Sequence, residues 1–227
     1  MAHRDRAICL RTADWSETSQ VLTFLTREQG VVRAVGKGTK RAKSKSGGAV
    51  DLFSEGELVW IEPRGGSLAT LTEFHESVTH RGLRDAASRL NAALYLLELT
   101  GEMLAEGDPH PRVYDLLHKA LARMQHPDAP VQAVVAFFQW RLLRHVGLLG
   151  EMRHCVGCGR PLEPAGAGEL YFTSHRGGLL CRDCEPASGE NTVVIPPPAL
   201  RCACWQPSTA APGRPCPTTR PARSTCC

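Results

Sequence analysis

The fold is decided by residues 20–36, which read QVLTFLTREQGVVRAVG. Two short runs rich in β-branched and apolar residues, 20–26 and 30–36, flank the polar turn Arg27-Glu28-Gln29-Gly30. This pattern predicts two strands joined as a hairpin. Similar runs predict a first strand at 7–12 and another hairpin formed by 57–61 and 68–74 across residues 63–66. Five short strands in roughly 80 residues favour a closed barrel of the OB type, which we assign to residues 1–80.

Beyond residue 81 the apolar residues recur with a helical period instead of alternating. Three amphipathic helices are predicted, the first over about 90–104, the second from about Pro111 and the third from near Pro130. Their predicted buried stripes are Leu90, Ala93, Leu94, Leu97, Gly101 and Leu104; Val113, Leu117, Ala120, Leu121 and Met124; and Val131, Val134, Val135, Phe138, Leu142 and Val146. Isolated helices of this length are not stable in water, so the three should share one core in a helical domain over residues 81–150.

The chain has ten cysteines, four of which form two Cys-x-x-Cys pairs, Cys155/Cys158 and Cys181/Cys184. The 22 residues between the pairs are close to the usual zinc-ribbon interval, and four thiolates form a closed tetrahedral site. We therefore predict a structural Zn²⁺ site in a segment over residues 151–187. Two disulfides, free buried thiols or a redox pair are the alternatives, although no βαβ pattern surrounds either pair. Cys9, alone in a predicted strand, is expected in the barrel core.

Positive charge is concentrated near the N-terminus, since residues 1–50 hold ten Lys/Arg against four Asp/Glu. Six cations occupy residues 33–45 without an acid between them: Arg33, Lys37, Lys40, Arg41, Lys43 and Lys45. The intervening Gly and Ser predict an exposed loop, and cations beside a barrel bind the phosphates of nucleic acid. A merely solvated charged loop is the alternative. The candidate stacking residues are Trp15, Phe24, Phe53 and Trp60, of which Phe24 and Trp60 are expected in the core.

Signals for catalysis and for membrane insertion are missing from the sequence. The histidines His110, His118, His126 and His145 have no evident serine or cysteine partner, and Gly36-Lys37-Gly38-Thr39 lacks the phosphate-loop pattern. No apolar run reaches the ~18 residues of a membrane helix, and the N-terminus lacks the apolar core of a signal peptide. The expectation is a cytoplasmic protein that makes no membrane contact and is not an enzyme.

Two stretches carry a resemblance to a known family: residues 28–38, EQGVVRAVGKG, and residues 138–148, FQWRLLRHVGL, which lead to Cys155 and Cys158. With barrel, helices and cysteine pairs in this order, roughly residues 4–186 resemble the RecO family of bacterial recombination mediators. The resemblance implies an α+β multidomain fold, in which an N-terminal OB-fold β-barrel precedes an α-helical domain with a four-cysteine, zinc-ribbon-like insertion.

The same resemblance implies a function in DNA repair. RecO-like proteins bind single- and double-stranded DNA, anneal complementary strands, and help RecR load RecA onto gaps coated with the single-strand-binding protein SSB. The six cations of 33–45 would bind DNA, and Arg141 and Arg144 would bind the acidic C-terminal tail of SSB. Such a protein would associate with the nucleoid. A zinc-ribbon adaptor that binds RNA or a protein partner is the alternative function.

Residues 188–227 are predicted to be an irregular Cys/Pro-rich tail. From Arg201 onward the sequence is dominated by Cys, Pro, Thr, Ala and Arg, without a recurrent apolar face. RecO-like proteins continue at this point with further amphipathic helices, whereas this segment resembles translation in a shifted frame. The hypothesis is a frameshift or a mispredicted end, and an amphipathic pattern in the neighbouring frame of the encoding DNA would support it.

Overall fold

A computed structural model describes residues 1–41, 44, 48–62, 68–162, 169–189 and 191–195. The chain divides into two compact units, Met1–Leu148 and Leu149–Cys227. Within the described ranges, no helix is both long enough and apolar enough to cross a membrane. The domain boundaries at residues 80, 150 and 187 stay predictions, and the turn at 63–66 lies outside the described residues.

The first unit begins with a closed barrel, as predicted. Its strands are β1 (Ala2–Asp14), β2 (Gln20–Thr26), β3 (Gly30–Gly36), β4 (Glu55–Ile61) and β5 (Ala69–Val78). They lie in the order β1-β2-β3-β5-β4, and β1 closes the barrel by pairing with β4. Every pair is antiparallel except β3 with β5. This is the strand order of an OB fold.

Strand β1 is longer than the predicted 7–12 because it serves two neighbours. Residues 2–8 pair with β4, residues 7–14 pair with β2, and the register shifts between Cys9 and Arg11. An irregularity of this kind bends a strand and helps to close a barrel. The added residues 2–6 are mostly polar or charged and are exposed or half-buried, so hydrophobicity alone could not reveal them.

The barrel wall is buried on both faces. Ala7 and Cys9 of β1 point into the barrel core, whereas Ile8 and Leu10 pack with the helices. The barrel interior contains Leu22, Phe24, Ala34, Leu58, Trp60, Leu71 and Phe74. The predicted core position of Cys9 is confirmed, because its side chain is fully buried.

Three α-helices cover one outer side of the barrel. A 3-10 helix at Arg81–Asp85 leads to α1 (Ala87–Met103), α2 (Pro111–Met124) and α3 (Val131–His145). The predicted stripe of α2 is fully buried, and that of α3 packs on the same core. The stripe of α1 was partly wrong: Leu96 and Thr100 are buried, whereas Leu94 is 36% exposed. Helix α1 contacts β1 as well as α2 and α3. Its buried face is therefore broader than, and turned from, the face that periodicity predicted.

The second unit contains a small antiparallel sheet. Its elements are β6 (Leu170–Thr173), β7 (Gly178–Leu180), the short α4 (Glu185–Ser188) and β8 (Thr192–Ile195), with strand order β7-β6-β8. Strand β8 lies inside the predicted irregular segment 188–227, which is therefore wrong at these residues. Its four β-branched residues pair with β6 but are too few to show a period. Residues 196–227, and with them the shifted-frame hypothesis, lie outside the described residues.

Candidate nucleic-acid interface and metal centre

A groove of about 360 Å³ lies beside the turn that joins β1 to β2. We call it the loop groove, and it is lined by Trp15, Ser16, Thr18, Ser19, Val35, Lys37, Gly38 and Arg41. Lys37 and Arg41 are exposed, and neither has an ion-pair partner in the part of the chain that the structure describes. Lys37 and Arg41 therefore line one concave surface of the barrel without a carboxylate partner from the described segments.

The loop that follows β3 and carries the lysines is here called the basic loop. Its first residues are bonded to the β1–β2 turn. The Lys40 ammonium lies 2.6 Å from Asp14 Oδ1, and the Lys40 backbone N–H donates to Thr18 O at 3.2 Å. The side chain of Lys40 is only 25% exposed. Lys40 thus holds the loop against the turn that carries Trp15.

The buried side chain of Gln20 holds both ends of the same loop. Its Nε2 donates to Val50 O at 3.1 Å, and its Oε1 accepts from Val50 N at 3.1 Å. The Thr39 hydroxyl donates to the same Oε1 at 3.0 Å. Sequence reasoning missed Gln20 because a lone glutamine in a strand carries no signal of burial or of partners thirty residues away.

Arg33 lies in a different groove. A cavity of about 990 Å³, the strand-face groove, separates the outer face of β1–β3 from α1. There Arg33 Nη1 lies 3.3 Å from Glu106 Oε1, and Arg11 Nη2 lies 2.6 Å from Glu102 Oε1. Arg33 lies within β3, whereas Lys37 lies in the turn that follows the end of this strand at Gly36. The acids near the end of α1 therefore compensate the charges of Arg33 and Arg11.

The structure thus brings together Lys37, Lys40 and Arg41 and separates Arg33 from them. Lys43 and Lys45 lie outside the described residues. The binding roles of all six cations stay predictions. Of the candidate stacking residues, Phe24, Phe53 and Trp60 are buried, whereas Trp15 is 68% exposed.

Arg141 and Arg144 lie on the last turns of α3. The Arg141 guanidinium carbon is 5.3 Å from the centre of the Phe137 ring, which is 45% exposed. Burial, and then the charges of Arg141, Arg112 and Arg144, lower the pKa of His145 below its ordinary value. The start of α2, with Arg112, and the end of α3, with Arg141 and Arg144, therefore form a cationic patch beside the exposed Phe137 ring.

The four paired cysteines converge in the second unit. The Sγ atoms of Cys155, Cys158, Cys181 and Cys184 all lie within 4.8 Å of one another. Cys155 Sγ is 3.6 Å from Cys181 Sγ, and Cys158 Sγ is 3.9 Å from Cys181 Sγ. Thiolates around tetrahedral Zn²⁺, at Zn–S distances of about 2.3 Å, lie about 3.8 Å apart. All five described cysteines, Cys9 included, are free thiols.

Backbone amides are directed at these sulfurs. The N–H groups of Gly157 and Cys181 donate to Cys155 Sγ at 3.3 and 3.4 Å. Although burial opposes ionisation, hydrogen bonds from Cys181, Cys158 and Gly157 lower the pKa of Cys155 to about 6. A Cβ at Gly157 would lie 3.0 Å from Cys184 Cβ, a tight approach that favours glycine at this turn.

Four sulfurs this close cannot all be thiolates unless a cation compensates their charge. Hydrogen bonds with the neighbouring sulfurs of Cys181 and Cys158 raise the pKa of Cys184 to about 12, which shows how strongly the thiols interact. The donor set and its spacing fit a tetrahedral metal ion, and four protein ligands leave no coordination position for a substrate. His154 Nδ1 lies 3.5 Å from Glu151 Oε1 and does not belong to the cluster.

A second polar cluster, which the sequence did not reveal, joins the barrel to the helices. Glu55, at the start of β4, is 7% exposed and accepts from the Tyr114 hydroxyl at 3.0 Å. Its other oxygen lies 2.8 Å from His118 Nδ1 and 3.4 Å from His80 Nε2. Gln125 Nε2 donates to His80 Nδ1 at 2.8 Å, so the proton of a neutral His80 ring is on Nε2, facing Glu55. The cluster fixes α2 against the barrel.

Comparison with known proteins agrees with this architecture. The family description "Recombination protein O N terminal" matches residues 1–78, and "Recombination protein O C terminal" matches residues 84–202. The chain is 32% identical over 181 residues to the DNA repair protein RecO of Rhodopirellula baltica, covering 80% of this chain and 66% of that protein. It is 29% identical over 198 residues to RecO of Rubrobacter xylanophilus, covering 87% of this chain and 77% of the relative.

A barrel with OB strand order, followed by a helical bundle and a four-cysteine cluster, defines the class to which this chain belongs. Both halves of the recombination protein O family match in the same order along it. The chain belongs to the RecO family of DNA repair proteins. The chain spans just under two thirds of the length of the Rhodopirellula relative, and about a third of that protein lies outside the match.

Proposed function

We propose that this chain binds single- and double-stranded DNA, anneals complementary strands, and helps RecR load RecA onto SSB-coated gaps, without catalysing a covalent reaction. Its membership in a DNA repair family supports a role on DNA. The observation that carries the proposal is the pair of cations in the loop groove of an OB barrel, Lys37 and Arg41, which have no ion-pair partner within the described ranges. Arg33, Lys40, Lys43 and Lys45 are proposed to extend this cationic surface.

Annealing requires two polyanions to approach each other. Cations held along a groove bind phosphates and release condensed counterions, so binding is favourable and falls steeply with salt. A strand whose charge is partly neutralised repels its complement less, and base pairing then proceeds without bond chemistry. Because Lys40 and Gln20 fix the loop ends, Lys37 and Arg41 are held beside the barrel.

The cationic patch formed by the start of α2 and the end of α3 is proposed to bind the acidic C-terminal tail of SSB. Arg141 and Arg144 would hold the carboxylates, and the exposed Phe137 ring would contact an apolar residue of the tail. Fluorescence anisotropy with a labelled SSB tail peptide tests this. Arg141→Ala/Arg144→Ala should weaken the peptide's binding at least tenfold, and unchanged affinity would contradict the assignment.

The cysteine cluster is proposed to hold a structural Zn²⁺ ion through Cys155, Cys158, Cys181 and Cys184. When bound, the ion would supply folding free energy to a unit whose hydrophobic core is small. Elemental analysis of the purified chain should find one zinc ion per molecule, and loss of it by chelation should unfold the sheet β6–β8.

The main experiment compares annealing rates and salt dependence for three proteins. The variant Lys37→Glu/Arg41→Glu reverses the two loop-groove cations. Its matched control, Lys119→Glu/Arg123→Glu, reverses two exposed cations on α2 and changes the net charge equally. Losing two phosphate contacts should reduce the slope of log affinity for single-stranded DNA against log salt by about 1.4.

Slow annealing by the loop-groove variant, with near-normal annealing by the α2 variant, would support the proposal. Equal rates for all three proteins would remove the loop groove from the mechanism and favour the adaptor alternative. Equal slowing of both variants would mean that net charge alone governs binding, and would contradict a localised site.

A further inference from the structure

Trp15 is a large aromatic residue left exposed on the barrel. Its side chain is 68% exposed, whereas Phe24, Phe53 and Trp60 of the same unit are buried. It stands at the start of the turn that joins β1 to β2. In OB folds this loop is one of those that border the oligonucleotide-binding face. A single exposed aromatic residue is common on protein surfaces, so its surroundings must decide what it does.

The backbone under Trp15 is held in place. Trp15 N donates to Ser19 O at 3.0 Å, and Ser19 N donates to Ser16 O at 3.4 Å. The turn is tied to the basic loop by the bond from Lys40 N to Thr18 O, at 3.2 Å, and by a bond from Gly38 N to Ser19 Oγ at 3.4 Å. The Trp15 ring therefore belongs to a turn whose backbone is hydrogen-bonded both internally and to the basic loop.

The chemistry around the ring suits a nucleotide. Lys37 and Arg41 line the same groove and have no ion-pair partner among the residues that the structure describes. Ser16 and Ser19 add hydroxyl groups. The volume of about 360 Å³ is at the small end of ligand grooves and accepts one planar group rather than a folded partner.

We infer that Trp15 stacks on an unpaired base of single-stranded DNA while Lys37 and Arg41 bind the adjoining phosphates. This inference rests on the proposed DNA-binding function and adds a preference to it. A base in a duplex is already stacked between its neighbours, so the ring contributes to binding of single strands and not of duplex. Because every base has an aromatic face, the contact is tolerant of sequence.

The test measures affinity for three probes of equal length: oligothymidylate, a blunt duplex, and a strand of abasic sugar-phosphate units. Trp15→Ala should weaken oligothymidylate binding about 5- to 100-fold, the range found for one lost stacking contact. Its affinity for the duplex and for the abasic strand should stay within twofold of wild type. Trp15→Phe, which keeps an aromatic face, should recover most of the loss.

Two controls accompany these variants. Tyr95→Ala removes another exposed aromatic side chain from the same unit and should bind all three probes like wild type. The unfolding temperature of Trp15→Ala should match that of wild type, because the ring is exposed. Oligothymidylate should also quench tryptophan emission in wild type more than in Trp15→Phe, which keeps Trp60, Trp140 and Trp205 but lacks the indole proposed to stack.

The outcomes separate this inference from the function on which it rests. Normal oligothymidylate binding by Trp15→Ala, together with weak binding by Lys37→Glu/Arg41→Glu, overturns stacking and leaves DNA binding intact. Equal losses on single strand, duplex and abasic strand also overturn it, since the ring would then act through the backbone. Normal binding by both variants contradicts the inference and the proposed function together.

Discussion

Replacing Glu55 by glutamine should destabilise the first unit at neutral pH and remove part of its acid sensitivity. The carboxylate is buried where β4 meets α2 and faces three donors, on Tyr114, His118 and His80. Glutamine keeps the shape and one acceptor oxygen. However, the glutamine NH₂ group would replace the oxygen that faces His118 and His80, and the negative charge would be lost.

The size of the effect follows from the pKa of Glu55. Burial alone would raise this pKa, but hydrogen bonds from His80, His118 and Tyr114, with the charge of His118, lower it from the ordinary 4.5 to about 2. A carboxylate whose pKa is lower in the folded chain stabilises the fold above the unfolded pKa and loses this contribution as the pH falls towards the folded pKa. The contribution is about 3 kcal/mol at pH 7 and about 1 kcal/mol at pH 3.

Urea unfolding of wild type and Glu55→Gln at pH 7, 5, 4 and 3 measures this difference. The gap in unfolding free energy should be about 3 kcal/mol at pH 7 and should shrink to half or less by pH 3. The titratable groups that face Glu55 are His80, His118 and Tyr114.

Glu57→Gln is the matched control, because Glu57 lies on the same strand, is 42% exposed and pairs with the exposed Arg4. It should change stability by less than about 0.5 kcal/mol at every pH. The reasoning is refuted if the gap for Glu55→Gln stays constant from pH 7 to pH 3. A variant as stable as wild type at pH 7 would refute it as well.

Three further predictions concern the metal centre, the loop and the helical core. Gly157→Ala should weaken Zn²⁺ binding about 10-fold or more, measured by competition with a chromophoric chelator, because its Cβ would lie 3.1 Å from Cys184 Sγ. Gln20→Ala should lower the unfolding free energy by about 1–3 kcal/mol in urea titrations, since it leaves the buried N–H and C=O of Val50 without their side-chain partner. Phe138→Ala, at a fully buried site, should cost about 3–5 kcal/mol by the same measurement. An unchanged value in any of the three would contradict the packing or hydrogen bonding on which it rests.

The parts of the fold that could be predicted from the sequence are those with local causes. The hairpin β2–β3 was predicted to the residue because alternation and the turn before Gly30 lie within 17 residues. At Gly30, φ is +75° and a Cβ would lie 2.3 Å from Asp108 O, so only glycine fits there. The cysteine cluster was predictable because two short motifs carry all four cysteines.

The parts that could not be predicted depend on contacts between distant segments. Which face of α1 is buried depends on three neighbouring elements, so periodicity predicted burial of Leu94, whereas the fold buries Leu96. The Glu55 cluster draws on residues 25 to 63 positions away, each unremarkable by itself. No local pattern marks a glutamate that three later residues will bury.

The basic segment shows the same limit at the candidate site. In sequence, Arg33, Lys37 and Lys40 are equivalent cations, and counting them predicts one continuous phosphate-binding surface. In the fold, Arg33 meets Glu106 from 73 positions away and Lys40 meets Asp14, while Lys37, beside Trp15, has no ion-pair partner among the described residues. A cation already paired with a carboxylate must give up that partner to bind a phosphate, so we expect it to contribute less to the proposed DNA binding. The proposed site should therefore depend most on the cations without a partner in the described part of the chain, and only the packing of distant segments determines which these are.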